Sequence, residues 1–290
     1  MDVVGDRKFS KVNKLLLFIG YPRSGSTLFG SLLDAHPHTV VANEFNLIGK
    51  WYNLTQRHNA SRNDIFDALF ANSVEEAVSK QRAKNNNFFF NYYVPRLWQG
   101  RYRDHISVIG DKRCVSTTRG LNADMSKLTE VSRKLGTPIK LIHIVRNPFD
   151  TVATMTIRAG GKHLRMRAKT AGSSFKLNEP ARLAQQAQIY LSLVDMNVKL
   201  RKRFGKSVLD VDYSAFIRHP KKCWRRICNF LELECSASYI GAISKIVFKK
   251  ETFTRRHIAW SEPVKQDILN KIATVSFLKG MKFDIPPDVL

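Results

Sequence analysis

The chain has 290 residues, with 48 Lys+Arg against 24 Asp+Glu and a formal net charge of +24. Hydrophobic residues make up 43%, with 15 Gly and 10 Pro, a globular composition that excludes a disordered or low-complexity chain. The charge points to an anionic partner, an anionic substrate or a well-solvated basic surface, and composition does not separate these.

In chain order, Lys14–Gly20 (KLLLFIG) is a continuous apolar run, the pattern of a strand covered on both faces. Ser26–Ala35 follows as a helix that stops before His36 and Pro37. Thr39–Ala42 reads as a short strand. Ser61–Lys84 reads as a helix with a break near Asn72 and Ser73. Ile106–Ile109 reads as a strand ending at Gly110, and Asn122–Leu135 as one helix. Ile139–Val145 (IKLIHIV) is the strongest buried strand, and Phe149–Ile157 starts another helix. Arg158–Lys176 then carries six basic residues (Arg158, Lys162, Arg165, Arg167, Lys169, Lys176) and no acid, and reads as a loop or lid. A long helix, Pro180–Phe204, is followed by a strand at Ser207–Val211. Helices at Pro220–Leu231, Ser236–Val247 and Glu262–Thr274 complete the chain.

Short apolar runs alternating with amphipathic segments predict an α/β fold. The expected architecture is a three-layer P-loop fold with a central, mainly parallel sheet flanked by helices. One domain spans 1–290, with its core at about 14–274 and variable segments at about 51–98 and 158–176 that shape an acceptor site. The aromatics Phe88, Phe89, Phe90, Tyr92 and Tyr93 read as a buried helix face or the lining of an apolar pocket.

Cys114, Cys223, Cys228 and Cys235 have neither metal-ligand register nor the density of a disulfide framework, so neither a zinc site nor disulfides are expected. The apolar run Leu15 to Ile19 is too short for a signal peptide, and no stretch reaches the length of a membrane span. The expectation is therefore a cytoplasmic protein. The sequons at Asn53–Thr55 and Asn59–Ser61 keep the Golgi lumen open as the alternative for a trimmed chain.

The sharpest feature is GYPRSGST, Gly20 to Thr27, between a buried strand and a helix. Its spacing is that of a phosphate-binding loop with Ser26 in place of the lysine. Glycines let the backbone wrap an anion, and the helix N-terminus adds partial positive charge. Arg23 supplies a cation from within the loop. A second anion site is expected where IKLIHIV ends in Arg146, with Thr154 eight residues on, because ligands gather at strand carboxyl ends. Asp111 is the sole candidate for a magnesium-binding aspartate. A P-loop nucleotide kinase remains one alternative. A basic nucleic-acid-binding protein is another, although no helix-turn-helix, RRM or zinc-finger signature accompanies the charge.

YPRSGSTL and RNPFDTVAT together resemble the two cofactor motifs of the sulfotransferase family. The resemblance runs from about Lys14 to Thr274. It implies 3′-phosphoadenosine 5′-phosphosulfate (PAPS) as donor, 3′-phosphoadenosine 5′-phosphate (PAP) as product, and no metal. It assigns Arg23, Ser24, Gly25, Ser26 and Thr27 to the 5′-phosphate. Arg146 and Thr154 go to the 3′-phosphate, with Thr154 where the family has serine. The loop is more similar to tyrosylprotein- and carbohydrate-type enzymes than to the cytosolic phenol and steroid enzymes. By that likeness Glu44 is the catalytic base and Lys112, in Gly110-Asp111-Lys112, the second catalytic residue. Cys114 stands where the cytosolic enzymes carry a histidine base. Asn46 stands where tyrosylprotein enzymes carry an arginine, which argues against a protein-tyrosine substrate. Tyr213 resembles the tyrosine near adenine. Arg255 and Arg256 resemble the basic run that clasps the 3′-phosphate. The implied reaction moves a sulfuryl group to a hydroxyl or amine of a small-molecule or carbohydrate acceptor, with an anionic acceptor among the options. Glu44 takes the proton while Arg23 and Lys112 stabilise charge. Neither a membrane span nor a specific nucleic-acid partner is expected.

Overall fold

A computed structural model describes residues 8–79, 92–161, 164 and 176–285. Five strands form one parallel sheet: β1 (Lys14–Gly20), β2 (Thr39–Asn43), β3 (Val108–Lys112), β4 (Ile139–Val145) and β5 (Val208–Asp212), in the order β2-β3-β1-β4-β5. Successive side chains of a strand face opposite ways, so β1 feeds two cores. Leu16 and Phe18 join Ile142 and Ile144 on one side, with Phe29 and Trp224 from the covering helices. Leu15, Leu17 and Ile19 join Leu141 on the other, with Phe66, Leu121 and Val131. Helices therefore cover both faces, and the expected three-layer α/β architecture is present.

The helices are α1 (Ser26–Asp34), α2 (Leu47–Tyr52), α3 (Arg62–Val78), α4 (Cys114–Ala123), α5 (Lys127–Leu135), α6 (Pro148–Ala159), α7 (Pro180–Phe204), α8 (Tyr213–Arg218), α9 (Pro220–Leu231), α10 (Ala237–Ser244) and α11 (Glu262–Thr274). The chain runs outward from β1 to β2, returns through β3, and crosses to β4 and β5. The switch in direction leaves a crevice at the carboxyl end of β1, the usual ligand position in such sheets.

Several boundaries differ from expectation. β3 starts two residues later than read and runs through Gly110 to Lys112. Gly110 reads as a turn residue, yet it lies in a central strand because a Cβ there would overlap the Leu16 carbonyl oxygen. The helix expected over Asn122–Leu135 is two helices. Asp124 is extended, and its carboxylate accepts from the Ser126 amide (2.9 Å) and hydroxyl (2.6 Å), which interrupts the ladder. α3 is unbroken at Asn72 and Ser73, whose side chains serve tertiary partners, the Asn43 amide and the Asp34 carboxylate. Its start carries a capping box between Ser61 and Asp64. α6 reaches Ala159, so Arg158 is helical. Most of the basic segment beyond it, and Phe88 to Phe90, lie outside the described residues. The expectation of no disulfide is corrected: Cys228 at the end of α9 is bonded to Cys235 before α10, while Cys114 and Cys223 are free thiols. Among the described residues no helix is long and apolar enough to cross a membrane.

Candidate active site

The loop between β1 and α1 is shaped by residues at positive φ. Gly20 and Gly25 take positive φ (130° and 98°), and Arg23 joins them in the left-handed region at 65°. Gly25 caps α1 with no side-chain hydrogen bond, and the first turn holds no acid, so the positive end of the helix faces outward. The base of the loop is tied down. The Gly20 amide donates to Thr118 Oγ1 (2.9 Å), the Tyr21 hydroxyl meets His143 (3.2 Å), and Ser24 donates to the Tyr21 carbonyl (3.0 Å). Ser24 is fully buried, so its hydroxyl serves the loop itself. Ser26 and Thr27 are half-buried at the opening.

On the β4 side, Arg146 donates to the Arg23 carbonyl (3.2 Å), to Thr154 Oγ1 (3.4 Å), to the carbonyl and hydroxyl of Thr252 (3.2 and 3.3 Å) and to Thr254 Oγ1 (3.4 Å). Its guanidinium lies 5.5 Å over the Tyr213 ring. The same ring closes on Gly25, where an added Cβ would come within 2.6 Å of it. The Arg146–Thr154 pair and Tyr213 thus meet at the loop. Thr252 and Thr254 belong to this cluster and carry no signal in the sequence, since their proximity depends on a turn 106 residues downstream of Arg146.

Arg255 is turned the other way. Its guanidinium is 4% exposed, pairs with Asp150, and donates to the carbonyls of Phe283 (2.6 Å) and Asp284 (2.9 Å), while its amide donates to Asp150 Oδ1 (3.0 Å). Its guanidinium is engaged by Asp150 and two carbonyls, so it braces the turn that carries Thr254 and Arg256. Arg256 is exposed, with Nε donating to His257 (3.3 Å).

On the β3 side, Lys112 is 2% exposed and its Nζ bonds both Thr27 Oγ1 (3.1 Å) and Glu44 Oε1. Arg113 pairs with the other oxygen of Glu44. Burial pushes the Glu44 carboxyl up, but Lys112 and Arg113 outweigh it and hold it below the usual carboxylate range. Glu44 sits at φ 59°, and Asn46 at 69°. Cys114 is buried beside Ser26, and burial pushes its thiol up to about 11, so it stays protonated at neutral pH. Asp111 is fully buried with both oxygens engaged by backbone amides, Phe45 (3.1 Å) and Leu47 (2.8 Å). It is therefore committed to the main chain of the Glu44–Leu47 turn. Arg113, which carries no signal in the sequence, is the second cation on Glu44.

A family model described as the sulfotransferase family matches residues 16–237. The chain belongs to the sulfotransferase family. Sulfuryl transfer is its general chemistry. Among solved structures, the sulfotransferase domain of the Synechococcus PCC 7002 olefin synthase is 18% identical, covering 97% of this chain and 98% of its own, with a TM-score of 0.49. The sulfotransferase STF9 from Mycobacterium avium is 12% identical, covering 90% and 76%, with a TM-score of 0.47. A mouse sulfotransferase complexed with PAP is 12% identical, covering 91% and 84%, with a TM-score of 0.45. No curated protein sequence matches the chain.

Proposed function

We propose that the protein transfers the sulfuryl group of PAPS to the hydroxyl or amine of an acceptor, in line, releasing PAP. One observation carries this reading. An uncapped anion loop lies between two separate polar clusters, Arg146 with Thr154, Thr252 and Thr254 on one side, and Lys112, Glu44 and Arg113 on the other. A donor with a 3′-phosphate and a 5′-phosphosulfate needs two anion sites and a transfer centre.

The loop amides with Ser26 and Thr27 would hold the 5′-phosphate, Arg146 and Thr154 the 3′-phosphate, and Tyr213 the space beside Gly25. When bound, PAPS supplies a sulfuryl group on a phosphate leaving group. Arg23 and Lys112 then stabilise charge as it redistributes over oxygens. Glu44, ionised at neutral pH, receives the acceptor proton on a carboxylate oxygen. Arg113 fixes the direction of that carboxylate. Arg23 and Arg256, both exposed, and the half-buried Arg113 add positive charge here, which favours an anionic small molecule or carbohydrate as acceptor. The Cys228–Cys235 bond and the exposed sequon residues Asn53 and Asn59 favour an oxidising lumen over the cytoplasm.

The test is thermal unfolding with PAP. At a hundredfold excess over Kd, PAP should stabilise the protein by about 2.7 kcal/mol. Arg146→Ala should weaken PAP binding by roughly 10- to 100-fold, the loss of hydrogen bonds to a charged group. An unchanged melting temperature with millimolar PAP sinks the assignment.

A further inference from the structure

Three consecutive residues at the end of β3 grip one segment. Lys112 and Arg113 take the two oxygens of the Glu44 side chain, and the Lys112 carbonyl accepts from the Glu44 amide (3.1 Å). Asp111 does something different. Its carboxylate spans Phe45 N–H and Leu47 N–H, the main chain just beyond Glu44. The segment needs such a tie. Glu44 and Asn46 both sit in the left-handed region, which for non-glycine residues costs roughly 1–2 kcal/mol each. The Asn46 side chain also leaves Oδ1 buried without a partner, so it does little to hold the turn itself.

We infer that Asp111 is a positioning residue for sulfuryl transfer: its ionised carboxylate templates the Glu44–Leu47 turn and so fixes the catalytic direction of Glu44. The inference rests on the role of Glu44 proposed above. An aspartate is suited to it because a carboxylate can accept two amides at once, one on each oxygen. An asparagine offers one oxygen, and its NH2 opposes the second amide.

The charge state gives the inference a signature. Burial pushes the Asp111 carboxyl up to about 6, against the pull of the Leu47 amide, of Lys112 and of the Phe45 amide, and with Glu44 adding to the rise. The other titratable neighbour is the Cys114 thiol, which stays protonated across this range. Asp111 therefore loses its charge as pH falls through about 6, and the clamp slackens. Stability moves the other way. A carboxyl whose folded pKa is raised favours the folded state below its unfolded value and loses that contribution as pH rises through 6. A positioning role thus predicts that turnover falls on acidification while this group does not lower the melting temperature.

The experiment compares wild type and Asp111→Asn for PAP affinity, melting temperature and the rate at which PAPS loses sulfate to water. Wild type should show an acid limb near pH 6 in turnover, with PAP affinity flat through it. Asp111→Asn should turn over at least about tenfold more slowly at pH 7.5, since small misplacements of a catalytic group carry such penalties. It should lack the limb near 6, keep PAP affinity within about threefold, and melt lower only by the cost of one unpaired buried amide, about 1–3 kcal/mol. Full turnover in Asp111→Asn overturns the inference, and so does a parallel loss of turnover, PAP affinity and melting temperature. If Asp111→Asn fails to fold, a wild-type profile without a limb near 6 overturns it instead. Wild type that neither binds PAP nor consumes PAPS sinks the proposed function, and this inference with it.

Discussion

Glu44 carries its negative charge between two cations, one almost fully buried and one half-exposed. That arrangement keeps the carboxylate ionised and aimed, at the expense of basicity. Glu44→Gln preserves shape and one acceptor but removes the proton sink. Turnover should fall by about 10²–10⁴-fold, the usual contribution of a positioned base, with PAP affinity within about threefold. If PAP affinity falls as far as turnover, Glu44 is a structural counter-ion instead. Glu44 and Lys112 were named from the family resemblance, and they form an ion pair with each other. Arg113 was not, because a basic residue beside Lys112 is unremarkable in a chain with 48 of them. The choice between Arg255 and Arg256 was equally invisible. Their order along the chain is the same for either facing, and the buried Asp150 decides which one turns inward.

At the scale of elements, β1, its loop and α1 were readable as a unit, since strand, glycine-spaced loop and helix each have a local pattern. The end of β3 was misread because Gly110 resembles a turn signal, whereas its reason is close approach to β1. Two glycines separate these uses of the residue. Gly25→Ala puts a methyl group into the Tyr213 ring at a φ of 98°, so PAP affinity should drop by more than tenfold. Gly136→Ala, at the end of α5 with nothing within 4 Å, should lower stability by about 1–2 kcal/mol for its φ of 60° and leave PAP affinity unchanged. Equal effects of the two on PAP binding would count against the loop as the cofactor cradle. The Asp150–Arg255 pair is the corresponding strut between α6 and the Thr254–His257 turn. Asp150→Ala strands a buried guanidinium, and chemical denaturation should register a loss of about 3–5 kcal/mol.

For the molecule as a whole, the strand order brings together residues far apart in sequence, because β1 has β3 and β4 as its neighbours. Parallel alternation was readable in the chain, but which strand lies beside which was not, since crossover helices of similar length permit several orders. The positive charge divides in the same way. Some of it lines the crevice, while α9 turns Lys221, Lys222, Arg225 and Arg226 outward. The pairing of Cys228 with Cys235 was also hidden. It depends on the reversal at Glu232, which takes a left-handed φ of 53° and folds Leu233 back onto the Cys228 carbonyl (2.9 Å). The bond lies against the core that includes Trp224 and Phe29, so it links the helices behind α1. A disulfide of this kind contributes about 2–4 kcal/mol, and its persistence requires an oxidising compartment. Protein isolated without reductant and then unfolded should therefore expose two reactive thiols, Cys114 and Cys223, and four after reduction. Cys228→Ser with Cys235→Ser should melt earlier while binding PAP within about threefold, because the bond braces a helix pair and touches none of the phosphate-site residues. Four thiols before reduction would mean that the helices are held by packing alone, and would remove the argument for a lumenal enzyme.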